Sequence, residues 1–204
     1  MINLYQNDIP DNLDFVDSVA VDTETMGLVP RRDRLCLVQL CSRKGDVHLV
    51  QMQRDTTCES KNLKRLLQNS EVLKIFHFAR FDLAVLNYTF NILVNPVYCT
   101  KIGSKLSRTY SDKHSLRHLC RELLDVELSK QEQTSDWGRQ VLSDEQVEYA
   151  SRDVLYLHSI REKLDEMLRR EHRENLALEC FRTVQLLAEL DLLGLTGEEL
   201  FQHH

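Results

Sequence analysis

Three groups of side chains in this sequence could act together as a site for divalent cations. Asp22 and Glu24 stand two apart in VAVDTETMGL, residues 19–28. On an extended strand they project from one side, with Val19, Val21 and Thr23 on the other. Two carboxylates that close repel each other unless a proton or a cation neutralises them, and hard oxygen ligands of this kind suit Mg²⁺ or Mn²⁺. Asp82 closes HFARFD, residues 77–82, in the first turn of an expected helix, where it also complements the helix dipole. Tyr149 and Asp153 of YASRD are four apart, so a phenol and a carboxylate reach one small volume on a helix face. Four carboxylates are enough to hold two cations, and such a pair can activate water and stabilise a leaving oxygen together. A phenol, with a reference pKa of about 10, is a poor base near neutrality, so orienting the water is its expected task. Singly, each group has a plainer reading as surface acid, dipole partner or satisfied core histidine.

The elements that must position these groups can be read from periodicity. Residues 2–5, 19–24, 35–41 and 48–50 look like strands, closely spaced enough for an antiparallel meander. Residues 60–68 read as a helix with Ser60 as N-cap, 72–76 as a strand and 81–90 as a helix. Helices are expected at 115–124, 144–168 and 173–193. A mixed sheet followed by helices gives an α/β fold. The last helix carries Leu176, Cys180, Val184 and Leu187 together with Phe181, Leu186, Leu190 and Leu193, a broad apolar face fit for the sheet or for another subunit.

The 204 residues, 42% of them hydrophobic, suffice for one sizeable domain, and no linker, repeat or low-complexity run divides them. A single domain over 1–204 is expected, with a helical extension from about 171. The N-terminus has no signal-peptide pattern and no stretch is long enough to span a bilayer, so a cytoplasmic protein is expected. Six cysteines without any C-x-x-C pair fit reduced core residues better than a zinc ribbon or a redox site. A formal net charge of −6 argues against coating long duplexes, although a bound metal can make an acidic pocket locally cationic.

Together, DTET at 22–25, HFARFD at 77–82 and YASRD at 149–153 resemble the three exonuclease motifs of the DEDD superfamily. The Y-x-x-x-D form of the third marks the tyrosine branch, which includes ribonuclease D, the Werner-type exonuclease and bacterial proofreading domains. KQEQTSDW, residues 130–137, is similar to the K-x-x-Q-x-S-D-W run of ribonuclease D-like proteins, and the likeness extends from Val19 to about Leu157. Where ribonuclease D usually has Arg-Pro shortly after the tryptophan, this chain has Gln140 and Val141. With no room for the helical HRDC domains of ribonuclease D, the sequence is most similar to the NrnC-type nanoRNases.

The resemblance implies an RNase H-like fold, two divalent metal ions, 3′→5′ release of nucleoside monophosphates from very short single-stranded RNA, with DNA left open, and a ring-shaped homo-octamer. By the same likeness Asp22 bridges both ions, Glu24 and Asp153 complete the first site, Asp82 supports the second and Tyr149 positions water. Leu28 matches an apolar wedge between the last two bases, with an ordinary core leucine as the competing reading. Trp137 is a base-stacking candidate or core, and Thr23, His77, Arg80, Lys130 and Gln133 are the remaining candidate substrate contacts. The expected function is 3′-5′ exoribonuclease action on short oligoribonucleotides, dinucleotides above all. The alternatives are trimming of longer RNA 3′ ends and a silent binding or assembly domain of the same fold.

Overall fold

A computed structural model describes residues 1–54, 59–128, 135–195 and 200. The Val- and Leu-rich runs form β2 (Ser18–Thr25), β3 (Leu35–Ser42) and β4 (Val47–Gln51), paired antiparallel with Asp22 opposite Gln39. The expected meander stops at these three strands. β1 (Ile2–Gln6) joins β4 in parallel, because residues 7–17 are too many for a tight hairpin and leave β1 free to pair two places away from β2. On the other side β5 (Leu73–Phe76) and β6 (Val97–Cys99) extend the sheet from β2 in parallel, giving the order β1-β4-β3-β2-β5-β6. β2 is therefore interior, and Val19, Ala20 and Val21 are wholly buried beside Leu37, Leu40, Leu49 and Ile75. Burying one such leucine contributes about 1.5–3 kcal/mol relative to leaving it in water.

The helices are α1 (Lys61–Gln68), α2 (Ala79–Phe90), α3 (Thr100–Ser107), α4 (Leu116–Leu124), α5 (Asp144–Leu155), α6 (Leu157–Arg170) and α7 (Glu174–Leu193). Ser60 precedes α1 as expected but does not cap it. Its backbone is left-handed and its hydroxyl donates to the Asn7 carbonyl at 2.6 Å. The cap comes from a distant residue instead: the Asp8 carboxylate accepts from the amides of Asn62 and Leu63 at 3.0 and 2.8 Å. The helix expected over 144–168 is two, α5 and α6, separated at Tyr156. No glycine or proline marks that break in the sequence. β6 and α3 were not expected: VYC is too short to show a period, and TKIGSKLS is poor in strong helix formers. Gly103 inside α3 gives close passage to Tyr98, since a Cβ there would lie 3.1 Å from its hydroxyl and press on it.

α5 lies across β2, β3 and β4, while α7 packs on α2 and reaches β6, so the carboxyl end of β2 meets helices on either side. Among the described residues no helix is long and apolar enough to cross a membrane.

Candidate active site

The last residues of β2 carry the centre of the site. Asp22, Glu24 and Asp153 each offer a carboxylate oxygen, and the three oxygens lie within 4.8 Å of one another. The strand places the first two by alternation, and the ladder shifts register between Glu24 and Thr25, an irregularity of the kind that turns a strand out at a functional rim. Removal from water dominates the electrostatics. It holds Asp22 well above the usual carboxylate range, with Asp82, Asp153 and Glu24 adding like-charge repulsion. Burial pushes Glu24 up to about 9, helped by Asp153 and Asp82, and lifts Asp153 to about 7 against a hydrogen bond from Tyr149. Such a cluster resists being fully ionised without a cation among its oxygens.

Asp82 is 4% exposed in the first turn of α2. The Thr23 hydroxyl donates to it at 2.7 Å, so the residue between Asp22 and Glu24 on the opposite side of β2 ties the strand to the second acidic element. Burial raises Asp82 to about 7, while that hydrogen bond and the backbone amides of Asp82 and Thr23 pull the other way. Gln39, buried in the middle of β3, donates to Asp22 at 3.3 Å. Its part went unseen in the sequence, although a polar residue inside LCLVQLC was a usable signal.

α5 delivers the third element. A capping box fixes its start, with the Ser143 hydroxyl accepting from the Gln146 amide and the Gln146 side chain accepting from the Ser143 amide. Ala150 and Val154 bury one face of the helix, leaving Tyr149 and Asp153 to the site. The phenol donates to the Asp153 carboxylate, and burial followed by Asp153, Glu24 and Asp22 pushes its pKa further up, so it stays protonated. Trp137 is 4% exposed and packs behind this tyrosine, ring centroids 6.1 Å apart. The indole therefore belongs to the core that fixes Tyr149 and presents no face to a base. Gln146 donates to the Ser135 hydroxyl at 2.7 Å and to the Asp136 carbonyl at 3.1 Å, anchoring that stretch to α5.

A cavity of about 740 Å³ opens in front of these groups. His77 lines it with its Nδ1 at 2.8 Å from the Thr100 hydroxyl, which itself donates to the Phe76 carbonyl. The hydroxyl proton being spent, His77 Nδ1 is the donor and Nε2 is left as an acceptor. Burial and then Lys101 push His77 down to about 3, so the ring is neutral. Basic side chains line the cavity as well: Lys101, Arg117, Arg121 and Arg152 all do so beside His118, with Arg117, Arg121 and Arg152 ion-paired to Glu127, Glu122 and Glu148. Arg117 and Arg121 stand four apart on α4, a spacing visible in SLRHLCREL but without meaning until the helix is set beside the acids. Fully buried Arg108 sets it there by donating to the Ser104 hydroxyl, to the Lys113 carbonyl at 3.0 Å and to Glu122.

Not every candidate joins the cavity lining. Arg80 is half-buried and held by Asp191 of α7 through two bonds of 2.6 Å, so its guanidinium fastens helices rather than facing the acids. Leu28 is 83% exposed, which excludes a core role and leaves it on the loop that follows β2. Lys130 and Gln133 lie outside the described residues.

An interior strand carrying D-x-E, a helix opening on a buried aspartate and a second helix bringing Y-x-x-x-D define a DEDD-type nuclease centre on an RNase H-like sheet. The family model described as 3′-5′ exonuclease matches residues 7–169, and the chain belongs to that family. It is similar to NrnC of Brucella melitensis. The structure of that protein bound to pGG is 46% identical with a TM-score of 0.94, covering 100% of this chain and 98% of the other. Its structure with bound Mg²⁺ is 46% identical with a TM-score of 0.93, covering 100% and 99%. Ribonuclease D of Gluconacetobacter diazotrophicus is 32% identical over 158 residues, 76% of this chain and 39% of that protein. The chain spans 24% to 40% of the length of the curated relatives it matches.

Proposed function

We propose that this chain is a cytoplasmic, metal-dependent 3′-5′ exoribonuclease that hydrolyses short oligoribonucleotides, dinucleotides above all, to nucleoside monophosphates. The observation that carries the reading is the convergence of the Asp22, Glu24 and Asp153 oxygens within 4.8 Å, with buried Asp82 near enough to add its repulsion to Asp22. Hard oxygen donors gathered at a cost in mutual repulsion fit Mg²⁺ or Mn²⁺, and Asp22, Glu24, Asp153 and Asp82 would hold two such ions. When bound, a divalent pair supplies an acidified water and neutralises charge on the leaving 3′-oxygen.

The chain's own residues do the remaining work. Asp22, which feels the charge of Asp82, Asp153 and Glu24, would contribute a carboxylate to the metal pair. Tyr149, kept protonated, orients the attacking water by a hydrogen bond and does not remove its proton. Thr23 and Gln39 hold the carboxylates in place. Neutral His77 offers Nε2 to a donor of the substrate, and Arg117, Arg121 and Arg152 on α4 and α5 balance phosphate charge. A pocket walled this way, on a protein of net charge −6, favours a substrate that ends within it. The similarity to an NrnC seen with pGG supports the same reading. Five described cysteines are free thiols, in keeping with a reducing compartment.

The test is hydrolysis of a 5′-labelled diribonucleotide with Mg²⁺, with Mn²⁺ and with chelator, for the native chain and for Asp22→Asn. Monophosphate formation that needs metal and is lost in the variant is expected. Turnover that survives chelation or Asp22→Asn contradicts the reading, and a protein that acts only on long RNA fits the ribonuclease D alternative.

A further inference from the structure

An exposed aromatic side chain at the cavity has no place in the chemistry above. Phe78 is the N-cap residue of α2, with φ 66° and ψ 47°, and it makes no capping bond. A bulky side chain in the left-handed region is an outlier that costs free energy, and glycine adopts the same backbone freely. Phe78 is 49% exposed and lines the same cavity as Asp22 and Asp153, so burial does not recover that cost. Lys101 Nζ lies 4.1 Å from the ring centroid and also lines the cavity. Lys101 stands in the first turn of α3, where a cation opposes the helix dipole, so its position gains nothing for that helix. Strain without burial, guarded by a lysine that is itself badly placed for its helix, points to a ligand-facing purpose.

We propose that Phe78 is a substrate-binding residue whose open ring face stacks on a nucleobase, with Lys101 as a positioning residue that fixes the ring through its other face. Stacking of this kind accepts any base and grows with the size of the π-system, so it would suit an enzyme that clears short RNA of every sequence. The proposal rests on the exoribonuclease reading above.

Its test is steady-state kinetics on diadenylate and diuridylate with Phe78→Gly, Phe78→Trp, Lys101→Met and the double variant Phe78→Gly/Lys101→Met, alongside thermal melting. Phe78→Gly should raise KM for diadenylate about tenfold, raise it less for diuridylate, leave kcat within about twofold and keep Tm at or above the native value. Phe78→Trp should restore KM. Lys101→Met should raise KM in the native background and add nothing to Phe78→Gly. An unchanged KM, an equal loss on both dinucleotides, or a fall in Tm without a change in KM overturns the role of Phe78. Additive losses in the double variant overturn that of Lys101. A native protein that cleaves neither dinucleotide overturns the exoribonuclease reading, and the inference falls with it.

Discussion

At the scale of single residues, burial governs what the acids do. The same removal from water that lifts Glu24 to about 9 and Asp82 and Asp153 to about 7 makes the metal-free site a source of instability. In that state the folded protein keeps protons that the unfolded chain, with carboxylates near 4, has already released. At these carboxylates the folded form binds more protons, so their contribution to the stability of the metal-free protein should fall as pH rises from about 4 to about 9, while His77, held down to about 3, contributes the opposite slope below about 6.5. The pH dependence of Tm in chelator for the native chain, less that of Asp153→Asn, isolates the sign, and a difference that climbs with pH contradicts it. Excess Mg²⁺ should flatten the decline. Asp153→Asn should raise the metal-free Tm at pH 8 while abolishing cleavage, and a lowered Tm would mean that the carboxylate is a structural anchor. For Tyr149 the expectation is a split: Tyr149→Phe lowers kcat while metal affinity by calorimetry stays as in the native protein. Weakened metal binding with native kcat at saturation would assign the phenol to the metal site.

At the scale of elements, the loop after β2 shows how much local chemistry fixes one exposed side chain. A Cβ on Gly27 would lie 2.3 Å from Asp33 Oδ2, and that same oxygen accepts from the Val29 amide at 2.9 Å. Thr25 donates to the Gly27 carbonyl, and Arg31 reaches the Leu192 carbonyl of α7 at 3.1 Å. The loop is thus closed on itself with Leu28 turned outward, outside the cavity lining. Leu28→Ala should cost a diribonucleotide about 1–3 kcal/mol in kcat/KM and leave Tm unchanged, because the side chain buries almost nothing. Unaltered kinetics would retire the wedge. Asp8→Ala should destabilise the protein by about 1 kcal/mol in urea titration, since Asp8 caps α1. No loss would mean that water satisfies those amides as well.

The contrast between Asp8 and Ser60 shows where sequence reading stops. Strand alternation and helix spacing made the pairs Asp22 with Glu24 and Tyr149 with Asp153 legible, because each pair is set by a single element. The cap on α1, the bond from Thr23 to Asp82 and the tie from Arg80 to Asp191 join residues 54 to 111 positions apart, and nothing local announces them. The basic lining was hidden for the same reason. Arg117 and Arg121 look like solvated helix charges until α4 is placed beside the acids. β6 and α3 escaped through shortness and weak propensity, and the break at Tyr156 because it carries no glycine or proline.

At the scale of the whole molecule, surface and charge bear on assembly and on substrate length. α7 uses Ala177, Phe181, Val184, Ala188 and Leu190 for internal packing, yet Leu176, Leu178, Leu186 and Leu193 remain exposed along the same helix. Apolar surface of this kind fits a contact between subunits. Light scattering at micromolar concentration should return a multiple of the 23.9 kDa chain, and a single-chain mass would contradict it. Net charge of −6 leaves little outside the cavity to attract further phosphates, so added nucleotides should contribute little affinity or oppose binding. The most direct measurement is therefore a competition in one tube between a 5′-labelled diribonucleotide and a ten-nucleotide RNA, with Mg²⁺ or Mn²⁺, followed by product length. A kcat/KM for the dinucleotide equal to or above that for the longer RNA, with monophosphate as product and no cleavage by Asp22→Asn, is the predicted result. A tenfold preference for the longer RNA would contradict it.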